Sequence, residues 1–323
     1  MNSESEIEEK GADLKIIFLG TSAGVPTKSR NVGGILVIRK GEYIFFDVGE
    51  GTQRQLFKLG LGFRKSLKFF ITHMHGDHIL GLPGLLQTLS LFKRQEPVYI
   101  YGPPQLEQFI KVNIELMGVE LTFPVYFNKV YDNATFHFDE YYIKALKNIH
   151  GEPSFSYMLK EYDRPGTFNV NLALSCGIPK SLWNKLARGE DVTYCGKVYR
   201  AAEFFIPPPI RGRKIVYSGD TMPFDKMIEF AKDADVLIHE ATYTSNYYER
   251  SLLTRHSTAR SVAEIAKKAN VKILVLTHIS ARYGDAKELL REAREIHPST
   301  FVAKDLDILE VPYVKPIKKI KNE

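Results

Sequence analysis

The chain has 323 residues, of which 44% are hydrophobic and 25% charged; this composition is ordinary for a globular protein with one large domain or two small ones. The only cysteines are Cys176 and Cys195, which excludes a disulfide framework, favours a reducing compartment and leaves a single bridge open. The net charge of +6 is compatible with an anionic partner without requiring one.

The two ends of the chain are polar. Residues 1–13 are acidic and lack the apolar stretch of a secretory signal, so we expect a flexible tail there. Residues 313–323 form a basic run that we expect to be solvated. The sequence contains no run of about 18 apolar residues, so we predict no membrane association and a cytoplasmic protein.

The first half of the chain alternates between apolar strands and helices. A buried strand is predicted at 14–20, then a Gly-rich loop at 20–34 and a hairpin at 35–49 that turns at Lys40 and Gly41. The following elements are a helix at 51–60, a strand at 66–72, a helix at 81–94, a strand at 97–103, a helix near 104–117 and strands within 123–149.

The second half repeats this alternation after an irregular segment. Residues from about 152 to 205 mix basic, aromatic, Gly and Pro residues with weak periodicity, which indicates an inserted arm. Regular structure then returns, with strands predicted at 213–220, 234–242 and 271–280 and helices at 224–233 and 258–270. Alternating strands and helices in both halves predict an α/β fold.

A cluster of histidines follows the predicted strand at 66–72. In the segment FFITHMHGDHILG, His73 and His75 lie on the same side of an extended chain because side chains alternate along a strand. Gly76 frees the backbone, so Asp77 and His78 can point to a neighbouring position. Imidazole and carboxylate ligands at this density predict a site for two adjacent divalent ions, with zinc the best match.

Three further candidate ligands lie at or after other strand ends, namely His150, Asp220 and His278. Each alone has an ordinary explanation, as a loop residue, a helix N-cap and a buried histidine respectively. Their joint placement carries the prediction, because α/β sheets present ligands at the ends of their strands.

Several short motifs make the chain resemble one family closely. The motif THMHGDH, followed by single ligands in IHG, SGDT and LTHIS, resembles the metallo-β-lactamase fold. The motifs HEATY (239–243), RHST (255–258) and PTKSRN (26–31) narrow the resemblance to the short form of tRNase Z, over residues 14–310. The resemblance implies an αββα sandwich of two mixed sheets with flanking helices, formed by 14–312 with a protruding arm at about 152–205.

The resemblance also implies two zinc ions per subunit that share one carboxylate. It places one ion on His73, His75, His150 and Asp220, and the other on Asp77, His78, His278 and the same Asp220. Manganese or iron would also suit such ligands. The family role of Asp77 is to orient or deprotonate the nucleophilic water.

His256 and Glu240 are the remaining candidate catalytic residues. We expect His256 to donate a proton to the leaving group, because histidine titrates near neutral pH, and Glu240 to orient it or keep it charged. The alternative is that both only support the metal ligands.

Precursor tRNA is the substrate that the resemblance implies. The loop with Lys28, Arg30 and Asn31 would lie near the tRNA 3′ end and discriminate against tRNA that already carries CCA. The arm would grip the tRNA elbow through phosphate contacts, and its candidate contacts are Lys160, Arg164, Lys180, Lys185 and Arg188. The alternatives are a solvated turn for the loop and, for the arm, a dimer contact or a surface insertion.

These inferences predict a zinc-dependent endoribonuclease that cuts after the discriminator nucleotide and leaves a 3′-hydroxyl on the tRNA and a 5′-phosphate on the trailer. The family further implies a homodimer, and we expect no nucleotide cofactor. One alternative is a phosphodiesterase or other ester hydrolase of the same fold that acts on a small molecule, which would need neither PTKSRN nor the arm. Another is a non-catalytic RNA-binding member, which should have lost ligands, whereas all seven ligand positions are present.

Overall fold

Two β-sheets packed face to face form the centre of the structure, a computed structural model that describes residues 13–63, 65–151, 153–206, 209–313 and 317–320. The strands are β1 (Leu14–Gly20), β2 (Ser22–Ala23), β3 (Gly34–Arg39), β4 (Glu42–Val48), β5 (Ser66–Phe70), β6 (Val98–Gly102), β7 (Val125–Lys129), β8 (Thr135–His137), β9 (Tyr141–Lys147), β10 (Phe155–Glu161), β11 (Thr167–Phe168), β12 (Val192–Tyr194), β13 (Lys197–Tyr199), β14 (Phe205–Ile206), β15 (Lys214–Tyr217), β16 (Val236–Glu240), β17 (Ile273–Thr277), β18 (Ile279–Ser280), β19 (Thr300–Val302), β20 (Ile308–Glu310) and β21 (Lys318–Ile320).

Helices lie mainly on the outer faces of these sheets. They are α1 (Thr52–Lys58), α2 (Gly76–Ile79), α3 (Gly81–Leu91), α4 (Leu106–Leu116), α5 (Val170–Ser175), α6 (Lys180–Ala187), α7 (Asp225–Ala231), α8 (Tyr248–Thr254), α9 (Ala259–Lys268) and α10 (Lys287–Arg294). Short 3₁₀ helices occur at Ala201–Phe204 and Ser245–Tyr247. Among the helices described, none is long and apolar enough to cross a bilayer.

Both sheets are mixed. The first runs in the order β21-β20-β1-β3-β4-β5-β6-β7, with β4 to β7 parallel, and the second in the order β19-β17-β16-β15-β10-β9-β8, with β15, β16, β17 and β19 parallel. The predicted hairpin is confirmed, and Lys40 and Gly41 at its tip both take positive φ angles. The predicted αββα layering is therefore confirmed.

Apolar side chains fill the space between the sheets and the space beneath the helices. The central layer includes Phe46 and Phe70 from the first sheet and Tyr157 and Tyr217 from the second, with Phe46 and Tyr157 stacked at 5.9 Å. Separate apolar clusters lie under α3 and α4 on one side and under α7, α9 and α10 on the other. Burial of these continuous apolar faces stabilises the four layers.

The predicted start of the arm at 152 is wrong. Phe155–Glu161 forms β10, which pairs with β9 and β15 inside the second sheet and is almost wholly buried. Its mixed composition, including Ser156 and Lys160, concealed this strand from the sequence pattern. The insertion leaves the sheet only after Glu161, and a bridge between Arg164 and Ile210 joins its two ends.

The insertion has a small apolar core of its own. Two short helices (α5 and α6), the 3₁₀ turn, the β12–β13 hairpin and the β11–β14 pair surround it. The core residues and their apolar neighbours include Phe168, Ala173, Ile178, Trp183, Leu186, Val192 and Phe204. Cys176 and Cys195 both lie in this segment and are free thiols, so the bridge left open above is not formed.

Parts of both predicted tails belong to the folded structure. Lys318–Ile320 pairs with β20 as the edge strand of the first sheet, so the expectation of a solvated tail is wrong for these residues. The phenol ring of Tyr313 lies 4.0 Å from the Arg213 guanidinium, and Asp13 forms an ion pair with Arg213 at 2.6 Å. The remaining residues of the two tails, 1–12, 314–316 and 321–323, lie outside the described residues.

A buried carboxylate holds the base of the insertion to the first sheet. Glu161 accepts hydrogen bonds from Arg39 at 2.8 Å, from Arg213 at 2.7 Å and from the Tyr313 hydroxyl at 2.7 Å. Burial would raise the pKa of Glu161, but these partners lower it to about 2. The ionised carboxylate therefore stabilises the fold at neutral pH.

We expect Glu161→Gln to lower the free energy of unfolding by about 3 kcal/mol, because two buried guanidinium groups lose the buried carboxylate between them and keep only the more exposed Glu140 and Asp13. The difference from the parent protein, measured by urea denaturation, should be complete above pH 4.5 and vanish as the pH falls through about 2, the pKa of the folded carboxyl. The control is Glu295→Gln, which breaks an exposed pair with Arg260 and should cost less than about 0.5 kcal/mol. Equal costs for the two variants would contradict this role of Glu161.

Candidate active site

The histidine cluster lies at the carboxyl end of β5, beside the ends of β15 and β17 in the other sheet. His73 and His75 follow β5 in extended backbone, and His75 precedes α2, whose first turn carries Asp77 and His78. Gly49 allows this short helix to pack against the end of β4, because a Cβ there would lie 2.3 Å from the Asp77 carbonyl oxygen. The strand ends and α2 thus bring the ligands of both sheets to one place.

Protein partners fix the orientation of each buried imidazole by binding its Nδ1 atom. The partners are Thr72 Oγ1 for His73, Asp47 Oδ2 for His78, the Arg255 carbonyl for His150 and Thr242 Oγ1 for His278, all within 2.7–3.0 Å. The Nε2 atom of each ring is then left to face the centre of the cluster. This arrangement is typical of histidines that bind metals.

Asp220 lies between two groups of candidate ligands. His73, His75, His150 and Asp220 form one group, in which the ligand atoms lie within 4.8 Å of one another; Asp77, His78 and His278 form a second. Asp220 Oδ2 is also 3.4 Å from His78 Nε2 and 3.3 Å from His278 Nε2. One carboxylate is therefore within reach of two neighbouring cation positions.

The donor atoms fit divalent metal ions. His73 Nε2 and His75 Nδ1 are 2.9 Å apart and compete for one position, which a shared cation would satisfy. His78 Nε2 and Asp220 Oδ1 are buried and have no hydrogen-bond partner among the described residues. Imidazole nitrogen and carboxylate oxygen are the ligands that zinc prefers.

The cluster holds two carboxylates beside buried imidazoles. Burial would lower the pKa of His78, but Asp220 and Asp47 raise it, so a bound metal ion would replace its proton. Burial would raise the pKa values of Asp77 and Asp220, but the neighbouring His278 and His78 lower both, so the two carboxylates are ionised. Burial lowers the pKa values of His73 and His150, which keeps these imidazoles neutral and able to coordinate a metal.

His256 and Glu240 adjoin the cluster, and the His256 ring lies 4.8 Å from that of His150 and 5.3 Å from that of His278. His256 Nδ1 is 2.8 Å from Glu240 Oε1, and the His256 and His278 rings are stacked. Burial would lower the pKa of His256, but the Glu240 carboxylate raises it to about 9. His256 also forms a possible ligand group with Asp220 and His278, so its geometry suits either a proton donor or a metal ligand.

Comparison with known proteins places this arrangement in a family. The chain is 44% identical to "Ribonuclease Z" of Nitrosopumilus maritimus over 92% of its length and 100% of that protein. It is 40% identical to "Ribonuclease Z" of Methanosarcina acetivorans over 93% of its length and 99% of that protein. The chain belongs to the ribonuclease Z family. It is therefore an enzyme.

One solved structure agrees with this assignment, and the other matches concern the fold or the superfamily. Human tRNase Z, short form, superposes with a TM-score of 0.67 at 29% identity, over 92% of this chain and 99% of that one. The metallo-β-lactamase fold protein YhfI from Bacillus subtilis has a TM-score of 0.66 at 20% identity, over 92% of this chain and 99% of that one, which shows the fold alone. Residues 197–279 match the family model "Beta-lactamase superfamily domain", and 14–177 match "Anti-Pycsar protein Apyc1".

Two residues that support the ribonuclease Z centre were missed in the sequence. Asp47 accepts hydrogen bonds from Thr72 at 2.8 and 2.9 Å and from Tyr217 at 3.0 Å, and it holds His78 Nδ1 at 2.7 Å. A lone carboxylate inside the apolar run YIFFDV was the available signal. Thr242 joins Glu240 to His278 through its hydroxyl, and nothing in the sequence distinguished it from other threonines.

The PTKSRN loop lies beside the metal ligands, although the loop residues predicted to contact RNA differ in exposure. Lys28 is exposed, whereas the Arg30 guanidinium bonds Thr21 Oγ1 and the Ala303 carbonyl, both at 2.6 Å. The Asn31 backbone N–H donates to the Asp305 carboxylate, and the side-chain nitrogen of Asn31 is buried. Arg30 and Asn31 therefore shape the loop. Contact between this loop and RNA remains a prediction.

The predicted arm residues divide into two groups. Lys160 Nζ bonds Asp163 and the Gly212 carbonyl, and Arg164 lies against the Tyr313 ring, so both side chains already have partners at the base of the insertion. Lys180, Lys185 and Arg188 are exposed on or next to α6. Of the predicted arm residues, only the second group is fully exposed, and RNA contact remains a prediction for these three side chains.

We expect Asp47→Ala to weaken metal binding by about 10- to 100-fold, because His78 loses the partner that orients its ring. Titration of the folded protein with zinc against a competing chelator measures this loss. Asp47→Asn keeps the side-chain shape and should weaken zinc binding to an intermediate extent. Tyr217→Phe removes one of several donors to Asp47 and should weaken zinc binding only slightly. Unchanged zinc affinity in a folded Asp47→Ala protein would show that Asp47 does not position the site.

Proposed function

We propose that the chain is a zinc-dependent endoribonuclease that removes the 3′ trailer from precursor tRNA by cutting after the discriminator nucleotide. The observation that carries this proposal is the pair of ligand groups joined through Asp220. When bound there, two divalent ions lower the pKa of a water molecule and stabilise charge on a phosphate. The ribonuclease Z relatives support RNA as the substrate.

In this proposal Asp77 orients the attacking water. Its Oδ2 atom accepts the Gly24 N–H at 2.9 Å and is 3.3 Å from His278 Nε2, so its direction is fixed. The water passes its proton to the Asp77 carboxylate as its oxygen bonds to phosphorus, and the bond from phosphorus to the 3′ oxygen breaks. Breakage of this bond leaves a 3′-hydroxyl on the tRNA and a 5′-phosphate on the trailer.

His256 supplies the proton that the departing 3′ oxygen needs. Its Nδ1 is held by Glu240, so Nε2 is the atom that can donate. Glu240 is fixed in turn by the backbone N–H of Thr221 and by the Thr242 hydroxyl. With a pKa of about 9, His256 carries its proton at neutral pH.

Incubation with a 3′-extended precursor tRNA, with and without a chelator, tests this function. We expect a single cut after the discriminator, mapped by sequencing the product ends, and its loss with EDTA. His256→Ala should lower kcat by at least about 100-fold while two zinc ions per chain remain, measured by elemental analysis.

Glu240→Gln serves as the matched variant for His256→Ala, because it keeps the hydrogen bond but removes the charge that raises the pKa of His256. As the pH rises, the activity of Glu240→Gln should fall at a lower pH than the activity of the parent protein. Zinc loss in His256→Ala would assign His256 to the metal ligands. Cleavage of a small phosphodiester but not of precursor tRNA would favour the small-molecule hydrolase instead.

We further propose that the chain is a homodimer in the cytoplasm. Phe57, Phe63 and Phe92 form an aromatic cluster with centroids 5.6–6.1 Å apart, and the exposed Leu80 and Leu91 lie on the neighbouring α2–α3 region. Leu91 is 76% exposed and Phe92 58% exposed. Apolar surface of this extent favours contact with a second copy.

Mixed dimers test whether the arm of one subunit serves the other. Reversing Lys180, Lys185 and Arg188 to Glu should raise KM for precursor tRNA by at least about tenfold, whereas reversing the exposed Lys226, Lys267 and Lys268 should not. Co-expression of the arm variant with His256→Ala should restore turnover at the original KM. Dimers without restoration would place the arm and site on one subunit, and a monomer in sedimentation would refute the dimer.

A further inference from the structure

A cationic and aromatic surface adjoins His256, and the mechanism above does not use it. The Arg282 guanidinium lies over the Tyr243 ring at 5.0 Å and over the Tyr247 ring at 4.5 Å. Tyr243 in turn packs edge-on against the His256 ring at 6.2 Å. One side chain thus separates the proton donor from an exposed arginine.

Arg282 is held in place without being neutralised. Its Nε atom donates to Ser280 Oγ at 3.0 Å, and the two tyrosine rings support its planar group. Among the residues that the structure describes, no carboxylate pairs with it. An arginine with a fixed plane and free N–H groups is well suited to bind phosphate in a bidentate manner.

The segment that carries Tyr247 is also fixed. The Tyr283 hydroxyl accepts the Thr244 N–H at 2.9 Å, and Glu292 accepts the Ser245 N–H at 3.0 Å. Tyr243 is buried beneath Arg282, whereas Tyr247 is 42% exposed. An aromatic ring that is held in place and still exposed to this extent can serve as a stacking surface for a nucleobase.

The chemistry identifies which nucleotide reaches this surface. This step rests on the proposed function, in which His256 gives its proton to the departing 3′ oxygen. That oxygen belongs to the discriminator nucleotide, so this nucleotide, and not the trailer, lies on the His256 side of the scissile phosphate.

We propose that Arg282, Tyr243 and Tyr247 form the binding site of the discriminator nucleotide. The base stacks on Tyr247, and the phosphate on the 5′ side of this nucleotide binds the Arg282 guanidinium, which Tyr243 supports from below. The site fixes the 3′ oxygen within reach of His256 and so contributes to the choice of the cleaved bond.

A combination of protein and RNA variants tests this site. The substrates are precursor tRNA, the same RNA with an abasic discriminator, and the same RNA with an abasic first trailer nucleotide. Tyr247→Ala should raise KM about tenfold on the intact RNA and on the abasic-trailer RNA, and have no further effect when the discriminator base is absent. Tyr247→Phe keeps the ring and should behave like the parent protein.

Arg282→Gln should raise KM about tenfold and reduce the salt dependence of binding by about one phosphate contact, with partial recovery in Arg282→Lys. Fluorescence anisotropy with mature tRNA that ends at the discriminator measures binding without turnover. We expect the same difference in affinity between Arg282→Gln and Arg282→Lys. Lys111→Gln, on an exposed pair with Glu107 in α4, is the control. Melting temperatures establish that each variant is folded.

The outcomes separate this site from the proposed function. If the parent protein does not cut precursor tRNA, the function itself fails. If the parent protein cuts precursor tRNA but Tyr247→Ala raises KM equally for intact and abasic-discriminator RNA, the stacking site is refuted. If the rise in KM caused by Tyr247→Ala disappears only on the abasic-trailer RNA, the surface binds the trailer and the proposal is overturned.

Discussion

One buried carboxylate organises the site. Asp220 Oδ2 lies between 3.3 and 3.9 Å from the Nε2 atoms of four imidazoles, which are those of His73, His78, His150 and His278. A charged carboxylate excluded from water is costly unless cations compensate it. The surrounding imidazoles lower its pKa, and bound metal ions would complete the compensation.

The two sheets must pack together before this site exists. His73 and His78 come from the end of β5 in the first sheet, whereas Asp220 and His278 follow β15 and β17 in the second. Asp47 joins the halves directly, because it accepts hydrogen bonds from Thr72 of one half and from Tyr217 of the other. Metal binding and the packing of the sandwich therefore stabilise each other.

The sequence predicted what depends on local pattern. Apolar runs located the strands, and the dense cluster at 73–78 located the metal centre, because few other roles require so many ligands together. It could not show that β10 joins the sheet, because strand pairing depends on distant partners. Arg30 and Lys160 were expected to face RNA, but acceptors far along the chain bind them, and sequence spacing does not reveal such contacts.

Substrate binding and chemistry share structural elements around Asp77 and His278. The Gly24 N–H at the start of the loop that carries Lys28 donates to Asp77, and β2 of the same loop pairs with β18 directly after His278. β18 is also adjacent to Arg282. A displacement of the loop would therefore move a metal-facing carboxylate and the strand that supports the proposed nucleotide site. Because the loop contributes one backbone N–H to Asp77 and a backbone pairing to β18, the loop and the site hold each other in register.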